Sequence, residues 1–150
     1  DAAHLYHDDL VGENYRLYVP NAGHGMESGI ARVIGGVLAF FLYADGRLDL
    51  PNLGWDVRAE NGVMLTTLTS NIEPVAVRTW TATSPTGDFR ESNWEAAEMS
   101  LDDGTYVHRM AAFGTRRLAV FGEAEYALEG GGSDFLSTRI SIFDGTAGRD

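Results

Sequence analysis

His24 stands between two glycines in the run Pro20-Asn21-Ala22-Gly23-His24-Gly25. An imidazole with its ordinary pKa of ~6.5 can take a proton and return it near neutral pH. Flanking glycines let such a loop bend and leave room for the ring to approach a nucleophile. That combination suits a general base, although a loop histidine without special role fits the same local pattern. The nucleophile is what the chain lacks. It has no cysteine, which excludes thiolates, disulfides and Cys-ligated zinc, and no Gly-x-Ser-x-Gly, which excludes a nucleophile elbow. Ser28, the serine nearest His24, reads as a helix cap.

Other chemistry-bearing residues have simpler readings. Asp1 is a conceivable triad acid, but its position suits a helix N-cap; Asp8 and Asp9 fall near that helix's end and read as solvated or paired. His4 and His7 lie three apart, as metal ligands on one helix would. With only Asp8 as a third donor, however, they read as surface histidines, and no metal or cofactor is expected. His108 lies in a strand pattern and is expected to partner a nearby carboxylate. Trp55, Trp80 and Trp94 could stack on sugar rings, yet sandwich cores also use tryptophan, and core packing is the expectation. Asp88 and Arg90 read as a charge pair holding a loop, and Asp102-Asp103-Gly104 as a turn without calcium-ligand spacing.

The elements that must position His24 come early. Asp1 to Leu10 carries Ala2, Leu5, Tyr6 and Leu10 at helical spacing. Asn14 to Val19 reads as a strand with Tyr15, Leu17 and Val19 on one face. After the histidine loop, Ile30, Val33, Ile34, Val37, Leu38, Phe41 and Leu42 predict an amphipathic helix closed by Asp45-Gly46. Beyond Pro51 the pattern becomes seven strand-like runs: 54–59, 63–69, 75–84, 94–100, 105–112, 118–128 and 135–143. Asn61-Gly62, Asp103-Gly104 and Gly130-Gly131-Gly132 supply reversals. Seven short strands over ~100 residues predict an immunoglobulin-like β-sandwich.

The 150 residues carry 11 basic and 22 acidic side chains, a net charge of −11, and every basic residue is arginine. Such a surface repels phosphate backbones, so no nucleic-acid partner is expected. The longest apolar run, 33–43, is far shorter than the ~20 residues of a membrane span. The chain starts at Asp1, not methionine, and on this reading is a portion of something longer.

A family resemblance adds to these readings. The stretch 8–13 followed by Tyr15-Arg16-Leu17-Tyr18-Val19-Pro20-Asn21-Ala22-Gly23-His24-Gly25 resembles the C-terminal histidine segment of the PhoPQ-activated pathogenicity-related proteins, in the α/β-hydrolase superfamily. Trp80-Thr81-Ala82, Asp88-Phe89-Arg90, Trp94, the stretch 118–126 and Leu136-Ser137-Thr138 are similar to that family's β-rich region. The resemblance implies a composite fold, α/β plus all-β. Residues 1–50 would be the C-terminal end of an α/β-hydrolase sheet (helix, strand, loop, helix), 51–143 a β-sandwich and 144–150 a frayed tail. It implies His24 as the triad base, with serine and acid in the upstream part of the same domain. It also implies a small ester, amide or peptide substrate and a periplasmic or secreted location. A non-catalytic binding protein on the same fold and a glycan- or protein-binding sandwich module are the alternatives.

Overall fold

The computed structural model describes residues 9–11, 14–26, 28–60, 62–111, 116–144 and 148–149. The expected first helix, with Asp1, His4, His7 and Asp8, lies outside them.

Among the described residues, one helix, α1 (Ile30–Ala44), precedes ten strands: β1 (Leu53–Glu60), β2 (Val63–Ser70), β3 (Ala76–Ser84), β4 (Glu95–Glu98), β5 (Ser100–Asp102), β6 (Thr105–Ala111), β7 (Arg117–Ala127), β8 (Ser133–Ser137), β9 (Ser141–Asp144) and β10 (Gly148–Arg149). They form two antiparallel sheets, ordered β1-β2-β6-β5 and β10-β9-β7-β3-β4, with β8 also on β7. The arrangement is that of a β-sandwich. Its core joins Leu68 of one sheet to Val77, Ala124, Tyr126 and Leu136 of the other, beside a second cluster of Val57, Met64, Leu118, Val120 and Phe143.

Two of the seven predicted runs are each divided into two strands. Residues 94–100 leave one sheet at Met99 and enter the other as β5, so a single apolar-polar alternation serves both layers. Residues 135–143 break at 138–140, where Gly122 and Thr138 exchange bonds instead of continuing the ladder. Thr138 N donates to Gly122 O at 2.8 Å, and Gly122 N donates to the Thr138 hydroxyl at 2.8 Å. Two residues of the tail expected to fray pair as β10 with β9. The Asp103-Gly104 reversal holds both residues at positive φ, 44° and 78°, as a two-residue hairpin requires.

Ahead of the sandwich, two expectations fail. Residues 14–19 form no full strand, only the bridge Arg16↔Ser137. The Tyr18 amide turns to the Ser137 hydroxyl at 3.0 Å instead of to a main-chain carbonyl, which ends the ladder after one rung. Ser28 does not cap α1. Gly29 is the N-cap, and the Ser28 hydroxyl donates to Asn21 O at 3.4 Å. The far end of α1 follows the expected glycine stop: Gly46 at φ 69° lets its amide reach Tyr43 O and the Arg47 amide reach Leu42 O.

The helix buries its small side, Gly35 and Ala39, against β8. A Cβ on Gly35 would lie 2.0 Å from Ser133 O, so only glycine permits this approach. The large apolar residues point the other way. Ile30, Ile34, Val37, Leu38, Phe40 and Phe41 are between 45% and 63% exposed.

β7 is consequently buried on both faces, with every residue from Leu118 to Ala124 inaccessible. Val120, Gly122 and Ala124 face the opposite sheet, where the Trp55 ring lies so close that a Cβ on Gly122 would sit 2.5 Å from it. The alternate residues Phe121, Glu123 and Glu125 face the layer built by α1 and residues 16–22.

Candidate functional site

The histidine loop is a tight turn. Met26 N donates to Gly23 O at 3.0 Å, which places His24 at the second position of a four-residue turn, with its side chain exposed. Left-handed backbone brackets it, Asn21 at φ 57° and Met26 at φ 52°. Asparagine tolerates that region, whereas methionine does so at a cost of about 1–2 kcal/mol, and strain of this kind gathers at functional sites. Gly29 N then donates to Met26 O at 2.9 Å and leads straight into α1.

Asn21 ties this turn to the sandwich. Its amide Nδ2 donates to Trp94 O and its Oδ1 accepts from Trp94 N, both at 2.8 Å, so the side chain pairs with that residue as a neighbouring strand would. Behind the clamp lies an aromatic cluster centred on Phe121. Tyr18 is 5.0 Å away between ring centroids, Trp94 5.2 Å edge-on and Trp80 6.3 Å stacked. A cavity of about 360 Å³ opens between residues 18–22 and 89–94.

A charged network fixes the other end of the loop. Arg32, in the first turn of α1, pairs with Glu123, whose side chain is fully buried; Arg78 approaches Glu123 at 3.6 Å and binds Glu125 at 2.8 Å. The Arg32 guanidinium also lies 4.1 Å from the Phe135 ring centroid and 5.7 Å from that of Trp80. The Ser133 hydroxyl donates to Glu125 at 2.8 Å. Burial raises the Glu125 carboxyl, but its bonds from Arg78 and Ser133 outweigh that and hold it below the usual range. Farther along α1, the Tyr43 hydroxyl donates to Asp134 at 2.5 Å. Burial pushes the Asp134 carboxyl up, opposed by the Tyr43 bond, and burial together with Asp134 drives the Tyr43 phenol up as well.

Sequence reasoning missed this network, although a signal existed. Arg32 is the single charge in a 15-residue apolar helix, and Glu123 is the single charge in the apolar run 118–124. Lone charges in two apolar elements must find each other if both are buried.

The remaining predicted residues are accounted for individually. The Asp88–Arg90 pair forms as expected, with Arg90 Nε 3.0 Å and Nη2 2.5 Å from the carboxylate, which Arg90 lowers to about 2. His108 does not partner a carboxylate through Nδ1, which is buried and unpaired, and burial lowers its pKa. The three tryptophans are half-buried in packing. Trp55 lies between the sheets, while Trp80 and Trp94 lie against Phe121.

Fold and site together define a two-sheet antiparallel β-protein carrying a helix layer and an exposed loop histidine at the join. The sequence model for the family described as "PhoPQ-activated pathogenicity-related protein" matches residues 1–90, and the chain belongs to that family. No curated protein matches the chain. Among solved structures, "Crystal structure of Br derivative BhCBM56" matches at a TM-score of 0.46 and 10% identity, covering 65% of this chain and 96% of that one. At that score the likeness assigns neither fold nor function. Among the described residues, no helix is long and apolar enough to cross a membrane.

Proposed function

We propose that this chain carries the general base of an α/β-hydrolase-type serine hydrolase, and that His24 is that base. Residues 1–50 would close the hydrolase sheet, and 51–143 would be the sandwich appended to it. The observation that carries the reading is the His24 turn: an exposed imidazole between two left-handed residues, anchored at Asn21 to Trp94 and followed at once by α1. Exposure suits a base that must meet a nucleophile from outside these 150 residues. The strained turn fixes where the ring stands before that partner arrives.

In this reading the imidazole takes the proton of a serine hydroxyl as its oxygen attacks an ester or amide carbonyl. It then returns the proton to the leaving oxygen or nitrogen, and water repeats the cycle to release the acyl group. A carboxylate, also from outside these residues, holds the ring's orientation. The chain alone has a base with nothing to activate, so it is inert toward p-nitrophenyl butyrate.

The test uses the intact protein and a serine-directed fluorophosphonate. Wild type should label and His24→Ala should not. Equal labelling of the two would remove His24 from the triad.

A further inference from the structure

The cavity beside the His24 loop has walls of a distinctive kind. Tyr18, Phe121, Trp94 and Phe89 present ring surface, Ile140 and Ala22 add aliphatic surface, and the volume is about 360 Å³, within the ~300–1,000 Å³ range of small-molecule sites. Several of the polar groups that line it are already paired. Both atoms of the Asn21 amide are held by the Trp94 main chain, and those same bonds occupy Trp94 N and O. The Ser92 hydroxyl donates to Thr83 O at 3.1 Å, and Ser92 N donates to Phe89 O at 3.1 Å. The Arg90 guanidinium at the rim is gripped by Asp88. Pro20 has no N–H to offer.

A ligand entering this space therefore meets ring surface, beside an Asn21 amide, a Trp94 main chain and a Ser92 hydroxyl that are engaged elsewhere. Water lying against the ring surfaces has few polar partners and is displaced readily by an apolar group. A sugar, whose hydroxyls the engaged groups do not meet, gains less there than an apolar ring.

We infer that this cavity binds a flat apolar group of one or two rings, presented by a small molecule. Where the hydrolase reading holds, and this step rests on it, the ring belongs to the substrate. Ala22 lines the cavity two residues before His24, so a bound ring sits against the loop that carries the base. The sandwich thus supplies one wall of the substrate site through residues 89–94, and the preferred substrates are aryl esters or amides.

The probe is 1-naphthol, titrated into the 150-residue chain and followed by methyl NMR. Saturable shifts at Ala22 and Ile140 are expected, with glucose giving none. Ala22→Phe, which fills the cavity from an accessible loop, should weaken naphthol binding roughly tenfold or more without changing the melting temperature. The inference is overturned if Ala22 and Ile140 do not respond, or if the shifts fall only on the exposed face of α1 around Val37 and Leu38. The wild-type titration decides this even if the variant misfolds. Naphthol binding without fluorophosphonate labelling of the intact protein keeps the cavity and removes the hydrolase reading. Labelling without naphthol binding does the reverse.

Discussion

The Arg32–Glu123 pair offers the sharpest energetic test of how α1 is held on the sheet. The Glu123 side chain is 0% exposed and the Arg32 side chain 22%, so removing the arginine leaves a carboxylate with no route to water. Stranding a buried charge in this way costs about 3–5 kcal/mol. Arg78 remains 3.6 Å from Glu123, although it is already bonded to Glu125, which favours the lower end, about 3 kcal/mol for Arg32→Met. Loss of the guanidinium from the Phe135 and Trp80 rings adds about 0.5–1 kcal/mol. At about 2–4 °C per kcal/mol for a chain of this size, the melting temperature should fall by roughly 7–16 °C. Arg32→Met/Glu123→Leu removes both charges together and should recover most of that loss, because a buried pair exchanged for apolar groups is often neutral. The assay is urea denaturation of the wild type, the two single variants and the double variant. Additive single costs, or an Arg32→Met cost below about 1 kcal/mol, would refute the view that the pair acts as one buried unit.

Three further outcomes follow from the same structure. Asp134 has a raised carboxyl pKa, so its contribution to stability is complete below the ordinary value of 3.8 and is lost as pH rises through the folded value. Asp134→Asn keeps an acceptor for Tyr43 and should stabilise the fold at pH 7, with the gain vanishing below pH 3.8 in thermal melts; a loss at pH 7 would contradict this. His108 is the opposite case. Its depressed pKa gives stability that is present above 6.5 and lost as pH falls, so His108→Leu should flatten the decline in denaturation free energy between pH 7 and pH 5. Phe40 and Phe41 are each 63% exposed, so Phe40→Glu/Phe41→Glu should leave stability within about 0.5 kcal/mol per site yet reduce concentration-dependent light scattering. Unchanged scattering would mean that this face drives no association.

Local chemistry made much of this molecule legible from its sequence. Strand alternation located the β-runs, Asp45-Gly46 and Asp103-Gly104 marked stops that need positive φ, and the glycine-flanked His24 marked the loop where a base would stand. The membership in the PhoPQ-related family was also legible in the ordered motifs. These features depend on a few neighbouring residues, and periodicity and turn chemistry report on such neighbours directly.

What tertiary structure alone decided is which side of each element faces what. The helical stripe of Ile34, Val37, Leu38 and Phe41 predicts a core face, yet the side that docks is Gly35 and Ala39, because only small residues let β8 approach to backbone contact. Residues 94–100 read as one strand, and the molecule divides them between two sheets. Asn21 looks like a turn residue, and its partner is Trp94, 73 positions away. Sequence spacing carries no information about such distant pairings, since they are set by how layers stack and not by the residues between them. The sequence nominated His24, and the folded chain supplied the Asn21 clamp on its loop, the buried ion pair under α1 and the aromatic cavity lined by residues 18–22.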